Sequence, residues 1–248
     1  MVFRPVHSAE ESVGTTRKPT LKAVIFDLDG VVADSHPIHE MAWTNLLVEQ
    51  GLDRAALNLD FLYAGHSRRE ILTHYLGAIS ANEMERLGHR KDELYTLEAQ
   101  SLLPKPRIPE VLNQLNEDGI LCALATSAGR GRTYDTIEKF GILEKFTAIV
   151  TGDQPDMPKP APDIFLVAAL KLGVSPKCCV VVEDSVAGVV AARAAGMKCV
   201  GFAPVKRFGE LAEAGANDLI SELPEDAAGY FSGLLTAGNE EPAAGARI

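Results

Sequence analysis

Five short apolar runs, residues 23–26, 121–125, 148–150, 179–182 and 199–202, are spaced along the chain with helix-like segments between the later ones. Each has the length of a strand. The intervening segments 108–118, 133–140, 164–172 and 185–195 have helical patterning, and Gly196 supplies the glycine that ends the last of them. Alternating strand and helix imply a parallel sheet covered on both faces, because every parallel connection must cross over the sheet. A weaker sixth strand is expected over 218–221. The fold class is therefore α/β, with a doubly wound, Rossmann-like parallel-sheet core.

The alternation breaks after the first strand, where residues 36–104 hold helical patterns and no convincing strand. An α-helical unit inserted into the core is expected there. Pro37 beside a Ser35 cap starts a helix to about Gln50, 68–76 suits a second, and 81–102 one or two more. Pro104, Pro106 and Pro109 make a stiff return. The expected division is a loose tail over 1–20, an α/β core over 21–35 and 105–237, the helical unit over 36–104, and a frayed tail over 238–248.

Composition narrows the partners. A 46% hydrophobic content over 248 residues is enough to bury a real core, and 34 acidic against 24 basic side chains leave a net charge of -10. Such a surface disfavours nucleic acid, whose phosphates are held by basic patches. No apolar run has the length of a membrane helix, and residues 1–20 contain no apolar signal region. Cys122, Cys178, Cys179 and Cys199 lie in or beside apolar stretches without metal-ligand spacing, as reduced core thiols do. A cytoplasmic monomer is expected. A small phosphorylated metabolite remains a possible partner if a few cations or a metal reverse the field locally.

The strand ends point to such a site. The first strand runs straight into Asp27-Leu28-Asp29-Gly30, with Asp27 and Asp29 on one side of the strand end. Two carboxylates this close repel unless a cation lies between them, and a hard divalent ion such as Mg2+ resolves the conflict; Asx turns at a strand exit are the plainer account of the same letters. The second strand ends in Thr126-Ser127, able to hold a phosphate or to cap the next helix. After the third comes Lys159 among Pro158, Pro160 and Pro162, a rigid mounting that aims the side chain. The fourth ends in Glu183-Asp184-Ser185, a helix start or the rest of an oxygen-rich metal shell. In open parallel sheets ligands bind at these carboxyl ends.

In this order the residues resemble the four motifs of the haloacid dehalogenase (HAD) superfamily with a helical cap, over about residues 21–223. The resemblance implies that Asp27 is a nucleophile forming an aspartyl phosphate and that Asp29 is the acid and base. It implies Lys159 and Thr126 as further catalytic groups, with Ser127 orienting phosphoryl oxygens. The implied Mg2+ ligands are the Asp27 carboxylate, the Asp29 carbonyl and Asp184, with Glu183 in a supporting or direct role. Asp29 sets the chain apart from dehalogenating and phosphonate-cleaving relatives.

The segment Asp34-Ser35-His36-Pro37-Ile38-His39, followed by Trp43, is similar to the beta-phosphoglucomutase and sugar-phosphatase subfamily. There the histidine at the position of His39 couples the cap to the acid–base aspartate; core packing would equally suit His39 and Trp43. The stretch from Ala64 through Gly65 to Arg68 resembles the cap's specificity loop, with Arg68 meeting a distal phosphate, although Ser67 capping a helix explains it as well. Two lysines of the mutases are replaced here by Ala64 and Gly129, leaving Arg130 to compensate. The expected function is a Mg2+-dependent phosphatase of a small phosphorylated sugar or related metabolite, with beta-phosphoglucomutase as the alternative. A non-catalytic phosphometabolite sensor would be expected to have lost one of the acids, and all are present.

Overall fold

The computed structural model describes residues 19–63 and 68–236. The expected tail over 238–248, most of that over 1–20, and Ala64, Gly65 and Ser67 of the expected specificity loop lie outside these residues. Strands β1 (Ala23–Phe26), β2 (Leu121–Ala125), β3 (Ala148–Val150), β4 (Cys179–Glu183), β5 (Lys198–Phe202) and β6 (Asp218–Ile220) form one sheet in the order β3-β2-β1-β4-β5-β6. All its pairings are parallel. The strands fall where the sequence places them, β4 and β5 each one residue longer and β6 one residue shorter.

Alternation along β1 divides the core. Val24 and Phe26 face one layer and Ala23 and Ile25 the other, all of them buried. Against the first face pack α4 (Ile108–Glu117), α5 (Arg130–Lys139) and α9 (Ala227–Thr236), through Leu112, Leu115, Ile137 and Phe231. Against the second pack α6 (Asp163–Leu172), α7 (Val186–Ala194) and α8 (Phe208–Ala214), through Phe165, Ala168, Val189 and Leu211. This is the doubly wound arrangement: the chain builds β1, β2 and β3 outward on one side, then returns beside β1 to build β4, β5 and β6. The crevice where the order reverses lies between β1 and β4.

Helices α8 and α9 are absent from the sequence reading: Gly209, Gly229 and Gly233 interrupt their patterns, although α9 buries Ala227, Phe231 and Leu235 four residues apart. Helix α5 starts at Arg130 rather than Thr133, since Gly129 takes the extended N-cap conformation. The stretch between β1 and α4 holds α1 (His36–Glu49), α2 (Arg68–Leu76) and α3 (Ala81–Glu98), and no strand among the described residues. Its two connections to the core run side by side: Asp34 N–H donates to Leu103 O at 2.9 Å and Lys105 N–H to Val32 O at 2.8 Å. One expected cap fails. Ser35 precedes α1 but makes no side-chain capping bond, because its backbone is already helical (φ -87, ψ -13) and turns the hydroxyl away from the free N–H groups. Its Oγ is buried without a partner. Ser185 does cap α7, accepting from Gly188 N–H at 3.0 Å.

Candidate active site

The crevice collects the strand-end residues. Asp27 leaves β1 and its N–H still donates to Val182 O of β4 at 3.0 Å, so its side chain is fixed at the switch point. Lys159 reaches it from the proline-bound loop after β3: Nζ donates to Asp27 Oδ1 at 2.6 Å, to Glu183 Oε1 at 2.5 Å and to Ala125 O at 3.3 Å. The Lys159 side chain is only 6% exposed. Burial by itself would lower the pKa of the ammonium, but the carboxylates of Asp27 and Glu183 raise it above the ordinary value, so Lys159 is cationic at any physiological pH.

Glu183 uses both oxygens inside the protein. Oε2 accepts from the N–H groups of Asp184 and Ser185 at 2.9 Å and from Ser185 Oγ at 3.0 Å, while Oε1 takes Lys159. Gly188 permits this, since a Cβ there would collide with the Glu183 carboxyl. Of the two roles left open for Glu183, such geometry suits support of Lys159 and the loop.

Asp27 and Glu183 thus share one buried ammonium, and the buried Asp184 beside them has Arg207 at 3.8 Å. Burial, then Glu183 and Asp29 acting against Lys159, push Asp27 up to about 7. Asp184 is raised well above the carboxylate range by burial, Glu183 and Asp27, against Arg207. This excess of buried negative charge is what a divalent cation relieves, and hard carboxylate oxygens suit Mg2+. Among the described residues no three His, Cys, Asp or Glu side chains converge into a ready cage. The donor set of two carboxylates and a carbonyl still fits Mg2+, which takes one or two carboxylates and keeps several waters.

Asp29 is held differently. Arg132 of α5 grips it through both oxygens, at 2.8 and 2.6 Å, and also donates to Tyr95 Oη at 3.2 Å. Burial would raise the Asp29 pKa, but Arg132 and His39 hold it well below the ordinary range. His39 of α1 lies 3.5 Å from Asp29 Oδ1 and stacks on Tyr95, with 4.5 Å between ring centroids. Lys91 of α3 joins His39 Nδ1 at 2.7 Å and stands over the Trp43 and Tyr95 rings. Burial, then Arg132, lower the Lys91 ammonium to about 8.

A cavity of 350 Å³ is lined by Asp27, Asp29, Thr126, Ser127, Lys159, Glu183 and Asp184 from the core and by His39, Trp43, Leu62, Arg68, Ile71 and Lys91 from the inserted helices. Of the residues named from sequence, two stand apart. Arg130 is not among the lining groups and packs its guanidinium over Tyr134 at 4.7 Å; two residues on, the turn of α5 brings Arg132 inward instead. Arg68 lines the cavity but is paired with Asp92 at 2.7 Å. Thr126 is buried, and its Oγ1 accepts from Ala128 N–H at 3.0 Å within the turn; it does not cap α5, whose N-cap is Gly129.

The sequence reading misses Arg132, Lys91, Tyr95, His36 and Arg207. Lys91 had a signal: it falls on the same stripe of α3 as Leu87, Leu94 and Tyr95, where a charge is out of place. The others become visible only when distant elements meet.

Residues 24–202 match the model of the haloacid dehalogenase-like hydrolases. The chain belongs to that family. Among the relatives of this hydrolase, beta-phosphoglucomutase of Bacillus subtilis is 36% identical over 192 residues, spanning 73% of this chain and 83% of the relative. Hexitol phosphatase A of Escherichia coli is 33% identical over 175 residues, 71% of this chain and 80% of the relative. Among solved structures, a HAD hydrolase of family IA, variant 3, from Entamoeba histolytica superposes with a TM-score of 0.76 at 27% identity, covering 88% of this chain and all of the other. No helix among the described residues is long and apolar enough to cross a membrane.

Proposed function

We propose that this family member is a Mg2+-dependent phosphatase that hydrolyses a small phosphorylated sugar or related metabolite through an aspartyl phosphate on Asp27. The observation that carries the reading is the buried Lys159–Asp27 pair at the switch point, 2.6 Å long and flanked by Asp184. A carboxylate beside a permanent cation at a strand-end crevice supports a nucleophile that can receive a phosphoryl group.

In the first displacement an Asp27 oxygen attacks phosphorus and the ester oxygen leaves. Lys159 neutralises the phosphoryl oxygens, the Thr126 hydroxyl and the Ser127 N–H orient them, and Glu183 keeps Lys159 aimed. Mg2+, held by the carboxylates of Asp27 and Asp184 and the carbonyl of Asp29, would supply charge neutralisation and bring the nucleophile and the phosphoryl group together. Asp29 serves both displacements. Released from Arg132 and protonated, it gives a proton to the leaving oxygen; as a carboxylate it takes one from the water that attacks the aspartyl phosphate. Residues 36–104 act as a cap over the core of 21–35 and 105–237, excluding water while Trp43, His39, Lys91 and Arg68 meet the substrate's remote end. The protein acts as a cytoplasmic monomer.

Mutase activity is the second reading, favoured by the similarity to the Bacillus subtilis enzyme. A mutase must grip a bisphosphate in two orientations. With Arg130 packed on Tyr134 and outside the cavity lining, a cation for a second phosphate is engaged elsewhere, which supports the phosphatase. The test is phosphorus NMR with Mg2+ and a panel of sugar phosphates including beta-glucose 1-phosphate, primed with a little bisphosphate, with Asp27→Asn as the blank. Growing inorganic phosphate supports the phosphatase, and conversion to glucose 6-phosphate with little free phosphate replaces it by the mutase. Turnover by Asp27→Asn would remove the aspartyl phosphate.

A further inference from the structure

Asp184 is approached from two sides by groups outside the four motifs. His36, the first residue of α1, places Nε2 2.8 Å from Asp184 Oδ2, and Arg207, from the segment after β5, places Nη1 3.8 Å from the same oxygen. The approach of His36 depends on Gly30. A Cβ at that position would run into the Asp184 carboxyl and lie 2.8 Å from His36 Nε2, and φ there is +77. Toward the ionised, metal-binding form of Asp184, which only accepts, the imidazole donates its Nε2–H.

We propose that His36 is a positioning residue for the metal-binding carboxylate of Asp184, and that it couples metal affinity to the seating of the inserted helices on the sheet. The inference rests on the metal reading above. A carboxylate can turn about its Cβ–Cγ bond; a hydrogen bond to Oδ2 sets its plane, and outer partners of this kind are worth about tenfold to hundredfold in metal affinity. His36 moves with α1, because it is the helix's first residue and follows directly on the Asp34–Leu103 bridge that joins insertion to core. With α1 seated, Asp184 has a donor that tolerates a metal. With α1 tilted away, Asp184 keeps Arg207, whose charge competes with one. By linkage, bound metal favours the seated insertion by the same factor.

The test is calorimetric titration of the intact, EDTA-stripped protein with Mg2+ alone. His36→Phe keeps a flat ring and removes the N–H, whereas His36→Gln keeps a donor near the position of Nε2. The Phe variant is expected to bind Mg2+ about tenfold or more weakly, and the Gln variant within about threefold of the wild type. A Phe variant within about twofold of the wild type overturns the proposal. So does a Gln variant as weak as Phe, since the fit of the ring and not its donor would then matter. Mg2+ should also slow amide exchange over α1 in the wild type and not in the Phe variant; equal effects overturn the coupling. Should the Phe variant not fold, the wild-type imidazole nitrogen resonances decide, with His36 Nε2 shifting at the calorimetric Kd while those of His89, 76% exposed, stay still. No shift at His36 overturns the proposal. A wild type that takes up no Mg2+ overturns the metal reading and this inference together, whereas equal binding by all three proteins overturns only the inference.

Discussion

Replacing Asp27 by asparagine should make the metal-free protein more stable at neutral and alkaline pH, although it removes the nucleophile. Asp27 is buried, and burial with its acidic neighbours raises it from 3.8, the ordinary value, to about 7. The native pKa is the higher one, so between these values the native state holds a proton that the unfolded chain has released. Stability is therefore greatest below the unfolded pKa and is lost as pH rises through the native one. One proton corresponds to about 1.4 kcal/mol per pH unit, which over this window gives at most about 4 kcal/mol. The asparagine of the variant cannot titrate, and its pH profile should lack this fall. The assay is urea unfolding in EDTA at about pH 4.5 to 8.5, followed by the emission of Trp43, the single tryptophan and a buried one. In a heat scan each kcal/mol should appear as about 2–4 °C. Mg2+ at about a hundred times its Kd should return about 2.7 kcal/mol to the wild type and much less to the variant. Parallel profiles for the two proteins between about pH 4.5 and 7.5 would refute the claim that Lys159 only partly compensates the buried acid Asp27.

Gly188→Ala drives a Cβ into the Glu183 carboxyl and so displaces the partner that aims Lys159; kcat is expected to fall about a hundredfold while substrate affinity changes little. Steady-state kinetics check this, and an unchanged kcat would deny Glu183 its supporting role. Arg68→Ala should raise KM more than it lowers kcat, because Arg68 lines the cavity from the inserted helices, remote from Asp27; if neither constant moves, Arg68 is only the partner of Asp92. Phe231→Ala removes a fully buried ring that meets Phe26 edge-on at 6.5 Å and should cost about 3–5 kcal/mol in denaturant unfolding. A loss below about 1 kcal/mol would show that α9 is not part of the core.

Much of the core was legible because strands and cap residues are local features. A run such as Val180-Val181-Val182 is buried on both faces of the sheet and shows as an unbroken apolar stretch, and the acids that follow it fall at the strand's end wherever the strand goes. Asp27, Thr126, Lys159 and Asp184 could be named for that reason. The helical insertion was legible too, α2 to the residue, since period and breaker residues lie along the chain itself. Local signals mislead elsewhere: α8 and α9 carry interior glycines that read as breakers, and Ser35 has the right letter for a cap but a helical backbone.

By itself, then, the sequence determined an α/β parallel sheet, its helical interruption and a row of polar strand ends, all consequences of periodicity and turn chemistry acting over a few residues. Only the tertiary structure decided who meets whom. Arg132 and Asp29 are 103 residues apart, Lys91 and His39 are 52 apart, and His36 and Asp184 come from α1 and from the end of β4. Arg130 and Arg132 differ by two positions in a row of similar letters, yet a helix turns by roughly 100° per residue, so one faces Tyr134 and the other the site. Such choices follow from the order in which the strands pack and from how α1 and α3 lie over them, and the physical reason is that Coulomb and hydrogen-bond energies depend on distance in space, which sequence separation does not encode.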